Sequence, residues 1–304
     1  VGMAQRRLAI LDLSPLGHQP MESADGSIVI VFNGEIYNFG RIKETLSDYP
    51  FVSTCDTEVI LAAYQRWGIS CVERLEGMFA IAVFDRKKDT LYLVRDRIGK
   101  KPLYYWIKDG NLVFASELKP IMNYPGFDAS VRREVISRFL YQQYICEPDS
   151  IFEGINKVEP GQVVSFCGGK KEAYRYWDIK KVYQERKGRF SGSYEEAKEH
   201  LLALLQGAVS DRLVADVPVG SFLSGGFDSS LVTAIAQQVS PAPVKTFSIG
   251  FCEETYNEAG YAREVAKYLG CDHRELVVSE QDLLGMVESL PVTYDEPFAD
   301  SSQI

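Results

Sequence analysis

The stretch Ser224-Gly225-Gly226-Phe227-Asp228-Ser229-Ser230 constrains this chain more than any other. It follows an apolar run, Val217 to Leu223, and precedes a helical pattern from about Leu231 to Gln238. Paired glycines between a strand and a helix let the backbone turn tightly and approach a ligand without Cβ clashes. Successive amides then form an anion-binding nest, to which the helix start adds its positive dipole end. Ser224, Ser229 and Ser230 supply hydroxyl donors. Asp228 would repel a bare phosphate, so its presence points to a magnesium ion bridging the carboxylate and a pyrophosphate. A lone Gly-Gly would read as a turn, whereas this many specified positions in a strand–loop–helix context read as a phosphate loop. It is not the Walker form, because no Gly-Lys-Ser/Thr follows.

The surroundings of the loop alternate. Ser193-Tyr194-Glu195-Glu196 has the form of a capping box. It opens a helix with Ala197, Leu201, Leu204, Leu205 and Ala208 on one face. Further strands are expected over Thr246 to Phe251 and Arg274 to Val278. A helix between them (Ala262, Val265, Ala266, Leu269) ends at Gly270, a natural C′ glycine, and another is expected from about Gln281 to Leu290. Alternation of this kind predicts an α/β doubly wound parallel sheet, which binds ligands at the carboxyl ends of its strands.

The first 120 or so residues have a different rhythm. Leu8 to Leu11, Ile28 to Phe32, Phe79 to Phe84 and Leu91 to Val94 are short β-branched or aromatic runs bounded by turn formers. Thr57 to Trp67 carries apolar residues at helical spacing. Strands with helices covering them predict a layered α+β domain. Pro120, Pro125, Pro148 and Pro160 break the next stretch, Gln162 to Phe166 could add a strand, and the polar run Lys180 to Gly192 reads as a linker.

Composition narrows the function classes. A chain of 304 residues fits two domains and can bury its own core. The net charge of -9, with both signs interspersed, disfavours a nucleic-acid partner, which wants a basic face. The cysteines (Cys55, Cys71, Cys146, Cys167, Cys252, Cys271) lack CxxC spacing and read as free thiols. His18, His200 and His273 are too scattered for a zinc site. No apolar run approaches the roughly 20 residues of a membrane helix. With no charged-then-apolar leader either, a cytoplasmic location without membrane partners is the expectation.

Asn33-Gly34-Glu35-Ile36-Tyr37-Asn38 is, as bare chemistry, first a hairpin signal. Its company changes that reading. Arg6-Arg7-Leu8-Ala9-Ile10 and Gly17-His18-Gln19-Pro20-Met21 lie upstream. Downstream come Asp56 to Leu61, Gly77-Met78-Phe79-Ala80, Arg95-Asp96-Arg97-Ile98-Gly99-Lys100-Lys101-Pro102 and Phe114-Ala115-Ser116-Glu117-Leu118-Lys119. In this order the stretches resemble the class II glutaminase domain of the glutamine-hydrolysing asparagine synthetase family. The Ser224–Ser230 loop matches the SGGxDSS signature of the ATP-pyrophosphatase superfamily, to which the family's second domain belongs. The resemblance covers almost the whole chain.

The resemblance implies an α+β glutaminase of the layered N-terminal-nucleophile type over residues 1–185 and an α/β ATP-pyrophosphatase domain over residues 186–304. Arg7 would hold the glutamine α-carboxylate, a task suited to guanidinium, and Asp56 the α-ammonium. Backbone groups of Leu8, Ala9, Ile10, Leu11 and Glu35 would complete the pocket. The Asn33 side-chain amide and Gly34 N–H would form the oxyanion hole. ATP would lie on Ser224, Gly225, Gly226, Asp228, Ser229 and Ser230, with Leu223 and Ile249 against its adenosine through the backbone and Mg2+ on Asp228. The Arg95–Pro102 stretch is expected to be structural or a domain contact, and His18 to satisfy a local hydrogen bond.

The family nucleophile is an amino-terminal cysteine whose α-amine acts as base. Val1 stands first here, and Cys55 cannot substitute, having no free amine. The family's acidic glycine loop would follow Ile304, and Tyr294 to Ser302 resembles the stretch before it, expected to face the acceptor. Both ends therefore read as truncated. The intact protein is expected to be a ligase. It would hydrolyse glutamine, activate aspartate with ATP as β-aspartyl-AMP, and release asparagine, AMP and pyrophosphate; a homodimer is allowed. One alternative is an amidotransferase for another carboxylate, of surface-polysaccharide or β-lactam type. Another is a non-catalytic sensor of glutamine or nucleotide. Retention of Arg7, Asn33-Gly34-Glu35 and Asp56 argues for glutamine use but leaves the acceptor open.

Overall fold

A computed structural model of the chain describes residues 1–253 and 257–300. The chain forms two compact units, Val1–Glu185 with the returning segment from Ser289, and Arg186–Glu288.

In the first unit a six-stranded antiparallel sheet has the order β1 (Met21–Glu22), β2 (Ile28–Ile36), β3 (Gly77–Asp85), β4 (Thr90–Arg95), β8 (Gln162–Cys167), β9 (Lys170–Arg175). Side chains alternate across it, as a period of two requires. Ile28, Ile30, Phe32 and Ile36 of β2, with Phe79, Ile81 and Val83 of β3, pack under α1 (Phe39–Thr45) and α2 (Asp56–Trp67). Val31, Ala80, Ala82, Leu91 and Leu93 face the other way, onto Leu103 and Tyr105. Tyr105 belongs to a second sheet of order β6 (Asn111–Ala115), β5 (Tyr104–Lys108), β7 (Ile155–Lys157). The outer side of that sheet carries Tyr104, Trp106 and Ile155 against Leu118 and Ile121 of α3 (Leu118–Met122). The result is a layered helix–sheet–sheet–helix stack. Each fully buried Ile, Leu or Phe in it contributes about 1.5–3 kcal/mol. The unit also holds α4 (Arg133–Gln142).

The Arg95–Pro102 stretch is interior structure. Asp96 is fully buried, and its carboxylate accepts from the amides of Phe79 (3.1 Å), Ile98 (3.2 Å), Lys100 (2.9 Å) and Lys101 (2.9 Å). Its own N–H donates to Phe79 O at 2.9 Å, which carries the β3–β4 pairing past Arg95. Arg95, also buried, ties the carbonyls of Lys101, Gly99 and Val158 to the Glu147 carboxylate. His18 makes the expected local bond, Nδ1 to Pro15 O at 3.0 Å.

The segment from Ser289 begins with α10 (Leu290–Thr293) and packs within this unit. The Asp295 carboxylate takes the Leu118 amide (2.6 Å) and the Lys119 ammonium (2.7 Å). Glu296 takes the Ile151 amide (2.8 Å), Tyr104 hydroxyl (3.3 Å) and Lys157 ammonium (2.5 Å). Two carboxylates expected near an acceptor are thus engaged in holding β5–α3 and β7. Ser301 and Ser302, the last two residues of that stretch, lie outside the described residues.

Two sequence readings need correction. Leu8–Leu11 is no strand, because the Arg7 guanidinium bonds the carbonyls of Leu11 and Asp12 and so curls the chain. Asn33-Gly34, a hairpin signal only as bare composition, lies within β2, paired Asn33↔Ala80 and Gly34↔Phe79. The linker contains a short helix, α5 (Ile179–Arg186).

The second unit contains three parallel strands in the order β10 (Gly220–Phe222), β11 (Lys245–Phe251), β12 (Asp272–Val278). They alternate with α7 (Phe227–Val239) and α8 (Ala259–Leu269), followed by α9 (Glu280–Val287). The expected capping box opens α6 (Tyr194–Arg212), with Ser193 Oγ accepting from Glu196 N and the Glu196 carboxylate from Ser193 N. Of its apolar face only the last turns pack, through Leu205 and Val209, while Leu201 and Leu204 are exposed. Gly270 ends α8 in the left-handed region. Among the described residues no helix is long and apolar enough to cross a membrane.

The Asp96 knot yields a stability prediction. Asp96→Ala removes the acceptor of the buried Phe79 amide and of three part-buried loop amides, and a buried amide left unpaired costs about 1–3 kcal/mol. We expect a loss of about 3 kcal/mol or more, read as an earlier urea midpoint by fluorescence of the buried Trp106. A midpoint unchanged from wild type would show that the loop repairs itself.

Candidate functional site

The site in the first unit grows from an unfinished sheet edge. β1 pairs with β2 through Met21↔Ile30 and Glu22↔Val29, so beyond Ile30 the outer backbone groups of β2 have no strand beside them among the described residues. Side chains take their place. Gln19 Oε1 accepts from Phe32 N (2.6 Å), Gln5 Nε2 donates to Phe32 O (3.2 Å), and Asp56 Oδ2 accepts from Ile36 N (3.0 Å). Strand alternation turns the N–H of Gly34, midway between these residues, to the same edge. Only glycine fits there. Its φ is +156°, and a Cβ would stand 2.0 Å from Met78 O and 2.8 Å from the Phe79 Cα. The neighbouring Asn33 side chain reaches Ser116, its Nδ2 donating to Oγ at 3.1 Å.

Asp56 is the first residue of α2 and is buried. Burial pushes its carboxyl above the ordinary carboxylate range, opposed by the Ile36 amide and by the Arg7 charge. A cation arriving beside it would offset that desolvation and favour the ionised form. Gln19 Nε2 also donates to Thr57 Oγ1 (3.2 Å), so one side chain links the β2 edge to the start of α2.

Arg7 donates to Asp12 O (3.0 Å), to Leu11 O and to Cys55 Sγ (3.4 Å), which leaves part of its donor fork for a ligand. Asp12 fixes the curl, its carboxylate accepting from Ser14 N (3.0 Å), Ser14 Oγ and Thr54 N (2.9 Å). The Ser14 hydroxyl above all holds it below the usual carboxylate range. Burial raises the Cys55 thiol, which disfavours its thiolate form.

These groups meet in one cavity of about 910 Å³. Arg7, Leu8, Ile10, Leu11, Asn33, Gly34, Glu35 and Asp56 line it, while Ala9 does not. Ser116 and Gln19 line it as well. Both sit inside stretches that stand out in the sequence, but nothing in one sequence shows that their side chains reach Asn33 and Phe32.

The second unit carries the glycine loop at the carboxyl end of β10. Leu223 is buried, with its N–H donating to Phe247 O (2.9 Å) and its carbonyl accepting from Ser248 Oγ. Gly225 has φ +83°, and a Cβ would come within 2.7 Å of both Ala262 N and Tyr261 Cβ. Gly226 is the N-cap of α7 and offers no side-chain cap, so the first-turn N–H groups remain for an anion. Ser224 and Ser229 hydroxyls bond each other at 2.9 Å, and Asp228 is exposed on the first turn. Ser230 Oγ is buried, with no hydrogen-bond partner among the described residues. Ile249 lies half-exposed in β11. Among the described residues no cluster of three His, Cys, Asp or Glu could hold a metal by itself, whereas a single carboxylate suits a magnesium carried largely by phosphates. A cleft of this unit, about 460 Å³, opens at the amino ends of β10 and β11, the wrong end for a ligand in a parallel sheet.

Comparison with known proteins finds two families in succession along the chain. The glutamine amidotransferase domain family matches residues 1–177, and the asparagine synthase family matches residues 200–304. A Methanocaldococcus jannaschii protein, named provisionally as asparagine synthetase (glutamine-hydrolyzing) 2, is 37% identical over 99% of this chain and 61% of its own length. Asparagine synthetase (glutamine-hydrolyzing) 1 of Bacillus subtilis is 32% identical over 100% of this chain and 47% of its own. Amidase chry2 of Gibberella zeae is 33% identical over 99% and 46%. The chain thus spans roughly half to three-fifths of the length of these relatives. The chain belongs to the glutamine amidotransferase domain family, in the form in which an asparagine synthase segment follows that domain.

Proposed function

We propose that the complete protein hydrolyses glutamine in its first unit and uses the ammonia to amidate a carboxylate activated by ATP. The observation that carries this reading is the cavity on which Arg7, Asn33, Gly34 and Asp56 converge, all groups that an α-amino acid with a side-chain amide would need. Arg7 binds the α-carboxylate with its remaining donors and Asp56 the α-ammonium. Leu8, Ala9, Ile10, Leu11 and Glu35 contribute backbone, Ala9 from behind the lining residues. Gly34 N–H and the Asn33 amide stabilise the oxyanion that forms when the side-chain amide is attacked. Arg7 and Asp56 bind substrate and transition state alike and lower KM. The oxyanion donors act on the transition state and raise kcat.

ATP binds the loop of Ser224, Gly225, Gly226, Asp228, Ser229 and Ser230, with Leu223 and Ile249 beside the adenosine. Asp228 would hold Mg2+, which supplies charge neutralisation for the departing pyrophosphate. A carboxylate is a poor acyl donor because its leaving group is oxide, and adenylation replaces that with a good one. The acceptor we assign is aspartate, through β-aspartyl-AMP, in the cytoplasm. Similarity to an amidase at 33% identity, between the 32% and 37% of the two asparagine synthetases, supports a second reading, in which another carboxylate is amidated.

Three outcomes test this in the complete protein. Arg7→Ala should raise the glutamine KM roughly ten- to hundred-fold, the worth of one charge-assisted contact, with little change in kcat. An unchanged KM removes Arg7 from the pocket. Asp228→Ala should abolish pyrophosphate release while sparing glutamine hydrolysis, and undiminished release would refute the ATP site. Incubation with glutamine, ATP and aspartate should yield asparagine. Glutamine hydrolysis without asparagine would leave only the reading with another acceptor.

A further inference from the structure

An oxyanion donor works only if it is already aimed when charge develops, and an asparagine amide is poorly aimed by itself. Its last torsion is broad and nearly two-fold, so rotamer preference alone does not hold the N–H in place. In this chain Asn33 Nδ2 donates one hydrogen to Ser116 Oγ at 3.1 Å. An amide nitrogen carries two, and the geometry that directs one hydrogen fixes the other. Asn33 and Ser116 both line the cavity.

The hydroxyl itself stands on a fixed corner. Ser116 directly follows β6, whose Ala115 pairs with Tyr104 of β5. Two residues on, the Leu118 amide is held by Asp295 Oδ2 at 2.6 Å, and Lys119 by Oδ1 at 2.7 Å. Leu118 and Ile121 are fully buried under the second sheet. The Ser116 hydroxyl is therefore placed by pairing on one side and by a buried corner on the other, the kind of supporting contact that keeps a reacting group in register.

We propose that Ser116 is a positioning residue for the oxyanion hole: it fixes the Asn33 amide so that the second Nδ2 hydrogen faces the tetrahedral oxyanion. The inference rests on the reading of Asn33 as an oxyanion donor. Ser116 touches neither substrate nor reacting atoms and acts through Asn33 alone. Its removal must then cost kcat, leave the glutamine KM, and cost nothing once the Asn33 amide is gone.

The experiment is a double-mutant cycle in the complete protein, with glutamine hydrolysis as readout. Asn33→Ala should lower kcat by about 10²–10³-fold, the usual worth of an oxyanion donor. Ser116→Ala should lower kcat roughly ten-fold with KM within about two-fold of wild type, and Ser116→Thr, which keeps the hydroxyl, should restore most of it. The Asn33→Ala/Ser116→Ala double variant should match Asn33→Ala. Amide formation supported by added ammonia, which bypasses glutamine, reports folding. Should Ser116→Ala fail that control, Ser116→Gly takes its place in the cycle. A kcat for the Ser116 variant within about two-fold of wild type, or losses that multiply in the double variant, would overturn the proposal while leaving Asn33 in its role. An undiminished kcat for Asn33→Ala would instead remove Asn33 from the oxyanion hole, and the proposal with it.

Discussion

The first unit depends on how β2 is paired. On one side it matches β3 residue for residue from Ile28↔Asp85 to Ile36↔Gly77, and on the other β1 covers only Val29 and Ile30. A half-covered strand inside a layered domain leaves backbone groups to be satisfied, since a buried unpaired N–H is expensive. Gln19, Gln5 and Asp56 satisfy those of Phe32 and Ile36. What remains between them is the Gly34 N–H, in a cavity that the same side chains wall. The candidate site is thus the remainder of an incomplete sheet, and the requirement for glycine at position 34 follows from the close approach of Met78 O.

The rest of the unit keeps that edge in place. Asp96 gathers four amides from β3 and the 98–101 loop, and Arg95 binds three carbonyls and a carboxylate. These are interior charges with their hydrogen-bonding capacity well used, the condition under which burying them is tolerable. Asp295 and Glu296 act likewise on the second sheet and α3, from a segment that the chain reaches only after Glu288. Positions so far apart in sequence show why a charged motif without evident chemistry can still be needed by a site.

Much of the layering was legible because its physics is local. Ile28–Phe32, Phe79–Phe84 and Leu91–Val94 lie within β2, β3 and β4, Thr57–Trp67 lies within α2, and Ser193 with Glu196 forms the capping box. Each is decided by the period of apolar residues or by one side chain reaching a nearby amide. Leu8–Leu11 misled because an apolar run reads as a strand only if a neighbour pairs with it, and here a guanidinium curls it instead. Asn33-Gly34 carries the composition of a turn, yet cross-strand pairing with Phe79 and Ala80 keeps it extended. The apolar face of α6 was legible as a pattern, but which of its residues are covered was not.

The sequence alone determined many of the elements, that strands with covering helices give way to alternation, and that residues 224–230 open a helix at the end of a parallel strand. Those outcomes depend on residues within a few turns of one another. Tertiary structure alone decided that Arg7, Asn33, Gly34 and Asp56 line one cavity, that Gln19 and Ser116 support it, and that Asp96 and Asp295 are spent on backbone amides. The Gln19–Phe32 and Asp295–Leu118 contacts join positions 13 and 177 residues apart. Their partners are set by strand register and layer packing, which no local pattern encodes.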